Sequence, residues 1–149
     1  MMKMEALKLM LENIGFSNVR TYLQSGNVFV DTEEESASKV GFIIKQEIFK
    51  VFGHEVPAVV ITKEDLEACF KNSPFLKEKD LDTKKLYVAF VSIALKSENI
   101  NDLKISQFKP DEASIDGNRI FIKYAVGAGK TRFDQKYIEK KLSVTATIR

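Results

Sequence analysis

Apolar residues recur at Met4, Leu7, Met10, Leu11 and Ile14, a three-and-four spacing that predicts a helix over 3–14. Gly15 follows where a left-handed C-cap is expected. Two β-rich runs come next, Asn18–Leu23 and Asn27–Asp31, and the intervening Gln24-Ser25-Gly26 makes them a hairpin. Thr32 and Glu35 have capping-box spacing, and Glu33, Glu34 and Glu35 sit where a helix dipole favours negative charge. A second helix is therefore expected from that point through Val40, Ile44, Ile48 and Val51, stopped by Gly53. Glu55–Ile61 is rich in β-branched residues and predicts a buried strand. Thr62 and Asp65 open a short helix to Lys71, which Asn72-Ser73-Pro74 ends because the residue before proline resists the α conformation. The polar stretch Lys77–Lys85 has the composition of a linker.

Beyond it, Leu86–Ser92 predicts a strand and Asn99–Phe108 a short helix. Glu112–Ile115 and Arg119–Ala125 form a hairpin around Asp116-Gly117-Asn118. Arg132–Leu142 is amphipathic, with Phe133, Tyr137 and Ile138 on one side, and Val144–Ile148 closes as an extended segment. Strand, helix, strand, strand, helix, strand is the order of the split-βαβ or ferredoxin-like unit. The first part of the chain repeats that order without its opening strand. The expected fold is thus α+β, with two ferredoxin-like (βαββαβ) halves. They span 1–62 and 85–149, joined by a short helix and linker at 63–84, and the first half lacks its opening strand. In such a unit the first strand lies inside the sheet, between the third and fourth. Its loss leaves main-chain groups on both neighbours unpaired. Either another chain or segment fills the gap, as a homodimer or by strand exchange through the open edge, or the sequence lacks an N-terminal piece.

Composition narrows the class. At 149 residues, 44% hydrophobic and 30% charged, the chain is neither disordered, collagen-like nor a disulfide scaffold. Its longest apolar stretch, Val56–Ile61, is far short of the roughly 20 residues that span a bilayer. No secretory signal precedes it, so a cytoplasmic protein without membrane contact is expected. One cysteine and one histidine leave little room for a thiolate or imidazole metal site, and no metal or cofactor is expected. Charge is uneven: residues 1–75 carry 8 basic and 11 acidic side chains, net −3, and residues 76–149 carry 15 and 10, net +5. The basic excess in 119–149 suits a phosphate-bearing ligand or RNA, or equally a solvated helix face.

Several groups of residues are candidates for chemistry. Gly127-Ala128-Gly129-Lys130-Thr131 suggests a phosphate loop, but the first glycine of that motif falls on Tyr124, so a true P-loop is excluded. What remains is a glycine-rich turn whose amides, with Lys130 and Arg132, suit an anion, or a flexible connector. Gln24, Ser25 and Asn27 form a polar hairpin tip beside Arg20, a second ligand-binding candidate, although turn geometry alone explains Gly26 and Asn27. Arg119, Phe121 and Lys123 share a strand face, the layout on which RNA-recognition sheets stack bases, but the fuller pattern of such sheets is missing. Cys69 has only His54 as an imidazole, with nothing in the sequence to bring them together, and reads as a small buried hydrophobe. Asp80, Asp82, Asp111 and Glu112 could gather around Mg²⁺ only if the fold converges them; otherwise they are loop carboxylates. No catalytic residue is assigned.

The run Glu5-Ala6-Leu7 through Asn13-Ile14-Gly15-Phe16-Ser17-Asn18-Val19-Arg20-Thr21-Tyr22-Leu23-Gln24-Ser25-Gly26-Asn27-Val28-Phe29 is distinctive, as is the ending Lys140-Lys141-Leu142-Ser143-Val144-Thr145-Ala146-Thr147-Ile148-Arg149. Together they resemble the bacterial domain-of-unknown-function family numbered sixteen-ninety-seven, over essentially the whole chain. The resemblance implies two ferredoxin-like halves in a cytoplasmic bacterial protein, and no established activity. Members usually begin with a strand and a glycine-rich turn ahead of the first helix, and continue past the final Thr-x-Arg with an Asn-Trp segment and a helix. Neither piece is present here.

Taken together, the expected function is a non-enzymatic binding or regulatory module for an anionic small molecule or RNA. Arg20, Gln24, Ser25, Asn27, Gly127, Gly129, Lys130 and Arg132 are its contact residues. The alternative is an enzyme acting on a phosphorylated small molecule held by the Gly127–Thr131 turn, which requires a concavity near Lys130 with a carboxylate in reach.

Overall fold

Leu7, Met10 and Leu11 bury one side of helix α1 (Met4–Asn13) in the computed structural model, which describes residues 2–22 and 26–149. The chain divides after Val60 into two units, each with its own core. In the first, Gly15 takes φ 102°, and the amide of Phe16 returns to the carbonyl of Leu11 at 3.1 Å, ending the helix as the glycine predicts. Strands β1 (Ser17–Tyr22) and β2 (Asn27–Asp31) pair antiparallel, with Arg20 opposite Phe29 and Tyr22 opposite Asn27. The predicted turn residues Gln24 and Ser25 lie outside the described residues. Helix α2 (Ala37–Phe52) buries Val40 and Ile48 against α1, Phe16 and Val19, and Gly53 at φ 71° caps it.

Two expectations for this unit need correction. The second helix starts four residues later than the Thr32 capping box implies: Ser36 is the cap, its hydroxyl accepting from the Lys39 amide at 3.3 Å. Thr32 instead closes a local turn with the Glu34 amide, and the Glu34 carboxylate accepts from the Ser36 amide at 2.9 Å. Glu55–Ile61 forms no strand. Val56 and Val60 do pack on the core, but a strand needs a neighbour's main chain, and β2 pairs only with β1 among the described residues.

In the second unit, the Thr62 hydroxyl accepts from the Asp65 amide and starts α3 (Lys63–Asn72), which leads into a 3-10 turn at Pro74–Lys77. A four-stranded antiparallel sheet follows in the order β4-β5-β3-β6, built from β3 (Leu86–Val91), β4 (Glu112–Asp116), β5 (Arg119–Lys123) and β6 (Ala146–Ile148). The helix expected over 99–108 breaks into α4 (Asn99–Asp102) and a 3-10 turn, Ile105–Phe108, because Lys104 adopts φ 48° between them. Helix α5 (Gln135–Leu142) is capped by Asp134, which accepts from the Tyr137 amide at 2.9 Å.

One sheet face carries Ala89, Val91, Ile120 and Ile122 into a core with Leu103, Phe133 and Ile138. The other carries Phe90 and Phe121, and α3 with its following turn lies over that side. There Arg119 donates to the Asp65 carbonyl at 3.1 Å, and the Lys123 ammonium sits 5.6 Å from the Phe75 ring. Phe121 is 2% exposed, Arg119 also pairs with Asp116, and Lys123 is held by Glu78 and Glu112, so no base can stack on this face.

Three groups in this unit hold their protons more tightly when folded. Burial pushes Tyr124 up to about 12, with Asp111 and Asp134 adding to it. Burial also raises the Cys69 thiol, against a smaller lowering by Arg119, and the carboxylates of Glu112 and Glu78 raise Lys123. The unfolded chain releases these protons first, so stability falls as pH rises, beginning above the thiol's ordinary 9.0 and continuing until Tyr124 ionises near 12. The urea midpoint is expected to drop steadily through that alkaline range. Tyr124→Phe, although less stable at neutral pH, should show a shallower drop; an identical slope in both proteins would remove Tyr124 from the account.

Candidate functional site

The chain leaving β5 enters the loop Val126–Arg132 on its way to α5, while the chain entering β4 passes through Gln107–Asp111. In a strand-helix-strand-strand-helix-strand chain these two connections reach the same end of the sheet. Between them lies a concavity of ≈480 Å³, lined only by residues of the second unit. Its size suits a small organic ligand.

Asp111 ties the two walls together. One carboxylate oxygen accepts from the Ala125 amide at 2.8 Å, and the other accepts from the Thr131 hydroxyl at 2.7 Å. The Thr131 hydroxyl oxygen in turn accepts from the Phe133 amide at 3.0 Å, carrying the brace into the start of α5. Gly127 makes the corner at φ 115°, ψ 153°. A Cβ there would meet nothing within 4 Å, so backbone conformation and not space requires glycine. The apolar floor comes from Phe108 and Tyr137, whose rings meet edge-on at 4.8 Å, with Phe133 behind them. The Tyr137 hydroxyl is fixed by donating to the Leu103 carbonyl at 2.8 Å.

Lys109, Lys130 and Arg132 supply the rim, all exposed, and none of them makes an ion pair among the described residues. The nearby carboxylate, Asp111, is occupied by two donors. Three cations against the single Asp111 carboxylate leave the lining with an excess of positive charge, since bonds from neutral donors do not remove the carboxylate's own.

Of the residues singled out from the sequence, Gly127, Lys130 and Arg132 come together here. Gly129 lies in the same turn but does not line the space. Arg20 and Asn27 belong to the first unit and share one face of the hairpin, where the Arg20 guanidinium lies 5.7 Å from the Phe29 ring. Lys109 and Tyr137 are absent from the site expected from sequence, where Asp111 figures only as a loop carboxylate or Mg²⁺ candidate and Thr131 only as the end of the glycine-rich turn. The signal available for them was element order, which places the connection before β4 beside the connection after β5.

The remaining candidates resolve simply. Cys69 is buried, and its thiol donates to the Asp65 carbonyl at 3.2 Å, while His54 is an exposed residue of the other unit. Asp82 caps a turn through the Lys84 amide, Glu112 pairs with Lys123, and Asp80 is exposed. Among the described residues no three His, Cys, Asp or Glu side chains gather as metal ligands would, and no helix is long and apolar enough to cross a membrane.

Comparison with known proteins gives one match. A family model described as "Protein of unknown function (DUF1697)" covers residues 1–121, which includes the Gln107–Asp111 wall but ends within β5, short of the Val126–Arg132 loop. No curated protein and no solved structure matches the chain.

Proposed function

We propose, for a chain that belongs to the DUF1697 family of unknown function, that its second unit is a non-catalytic binding module for a phosphate-bearing small molecule. The observation that carries this is the convergence of Lys109, Lys130 and Arg132, free of ion pairs among the described residues, on a concavity with an aromatic floor. Cations on the rim fit a phosphate, and Phe108 and Tyr137 fit an apolar or planar remainder, as in a nucleotide. Size favours a single nucleotide over an RNA strand, since the basic–aromatic face of β5 is covered.

The enzymatic alternative asks for a concavity near Lys130 with a carboxylate in reach, and Asp111 is that carboxylate. Both its oxygens already accept hydrogen bonds that hold the loop, which supports binding over general acid–base work. The strand order β4-β5-β3-β6 supports a ferredoxin-like second unit, and the hairpin between two helices supports an incomplete version of the same unit in the first. The resemblance to a bacterial family supports a bacterial cytoplasmic setting.

Calorimetric titration with inorganic phosphate, a nucleoside monophosphate and the free nucleoside tests the proposal. The monophosphate should bind tighter than either part, and its affinity should fall as salt rises through the range where surface charges are screened. Affinity indifferent to salt, or a nucleoside that binds as well as its phosphate, would refute the reading. Turnover of the monophosphate would instead favour the enzymatic alternative.

A further inference from the structure

Most polar side chains lining the concavity of the second unit are cations or are already hydrogen-bonded within that unit. The Thr131 hydroxyl donates to Asp111 and accepts from the Phe133 amide, and the Tyr137 hydroxyl donates to the Leu103 carbonyl. Gln107 differs. It is exposed on the lining, its carboxamide makes no hydrogen bond among the described residues, and it offers a donor and an acceptor side by side. The turn that carries it is fixed: its own amide donates to the Lys104 carbonyl at 3.0 Å, and the Asp111 amide donates to the Phe108 carbonyl at 2.9 Å. Two apolar side chains line the space from its two walls, Phe108 next to Gln107, and Val126, 67% exposed, at the start of the other loop. The Tyr137 ring is already engaged, edge-on by Phe108 and by the Lys141 ammonium at 5.7 Å. Inorganic phosphate would use the rim cations and leave Gln107, Phe108 and Val126 idle.

We infer that the ligand of this concavity is an adenine nucleotide, an inference that rests on the phosphate reading of the same site. The phosphate sits on the rim cations, the base lies between Phe108 and Val126, and the Gln107 carboxamide reads its edge. An amide matches adenine completely, accepting from the N6 amino group while donating to N7. Guanine presents two acceptors, O6 and N7, on the same edge, so the amide oxygen would face an acceptor. On its pairing edge guanine presents two neighbouring donors, which call for two acceptors, and both oxygens of the lining carboxylate, Asp111, are engaged in holding the loop. Cytosine also sets an amino group beside a ring nitrogen. Its single ring covers less of Phe108 and Val126 than a purine does, and stacking and burial both follow the area covered.

Calorimetric titration of the full chain with the monophosphates of adenosine, guanosine and cytidine, and with inorganic phosphate as the probe of the rim alone, tests it. The adenine nucleotide should bind about fivefold to a hundredfold tighter than the guanine nucleotide, the range for one bidentate base contact. Gln107→Glu replaces a donor and an acceptor by two acceptors, so it should lower or reverse the ratio of adenine to guanine affinity, whatever its charge does to both. Val126→Ser should weaken the adenine nucleotide and leave inorganic phosphate unchanged. Proton NMR of the unaltered chain should show contacts between the adenine ring protons and the Val126 methyl groups, and their absence overturns the inference even if a variant misfolds. Adenine and guanine nucleotides that bind equally, while both weaken in the Lys130→Ala, Arg132→Ala protein, overturn this inference and leave the phosphate reading standing. A preference for guanine or cytosine overturns it too. No binding of any nucleotide or of phosphate overturns both readings.

Discussion

Phe133→Ala is expected to destabilise the second unit by about 3–5 kcal/mol, the cost of removing a large aromatic side chain from a packed interior. Phe133 is fully buried, and its ring lies 5.3 Å from Phe108 and 5.9 Å from Tyr137. Its main chain matters as well: the carbonyl accepts from Tyr124 at 2.7 Å, and the amide donates to Thr131. A cavity at this point sits directly behind the floor of the proposed anion site, so loss of stability and loss of monophosphate affinity should appear together. Urea denaturation of the variant, followed by far-ultraviolet circular dichroism, measures the first effect. Phe133→Leu, which refills much of the volume, should recover a good part of it. A loss of less than about 1 kcal/mol would mean that the ring is not packed as described.

The second large effect concerns charge. Replacing Lys130 and Arg132 together by alanine should weaken monophosphate binding by about a hundredfold or more, since a hydrogen bond to a charged group contributes roughly 1.5–3 kcal/mol. Both side chains are exposed and make no ion pair among the described residues, so the urea midpoint should scarcely move. The control is Lys136→Ala with Lys140→Ala, which removes the same charge from an exposed part of α5 outside the concavity. Equal weakening in the control would show a diffuse basic surface attracting anions at large. Weakening confined to Lys130 and Arg132 would locate a site.

The elements that were legible in the amino-acid order are those whose causes are local. Gly15 and Gly53 end helices because each adopts a positive φ that costs other residues more, and Thr62 with Asp65 caps α3 through a bond three residues long. The Thr32 error shows where local signals become degenerate. Thr32 and Ser36 are both capping residues four apart, and Glu34 bonded to the Ser36 amide favours the later one. The β-branched residues of Glu55–Ile61 predict a buried strand that does not form, although Val56 and Val60 pack on the core. Strand propensity could not say whether a main-chain partner would be present, and none pairs with this segment among the described residues.

The candidate site divides along the same line. Gly127, Lys130 and Arg132 are close in the chain, and a glycine corner beside cations is recognisable by eye. Lys109 and Asp111 come from the other side of a β-hairpin; Asp111 is visible in the sequence as a loop carboxylate, but no spacing sets either residue beside Lys130. Sequence alone thus determined the glycine-capped helix ends, the hairpins, the uneven charge and the family, because these depend on neighbours along the chain. The closing of a concavity by Asp111 and the covering of Phe121 were decided by tertiary structure. Each depends on which distant segment arrives, and on whether its polar groups are already satisfied when it does.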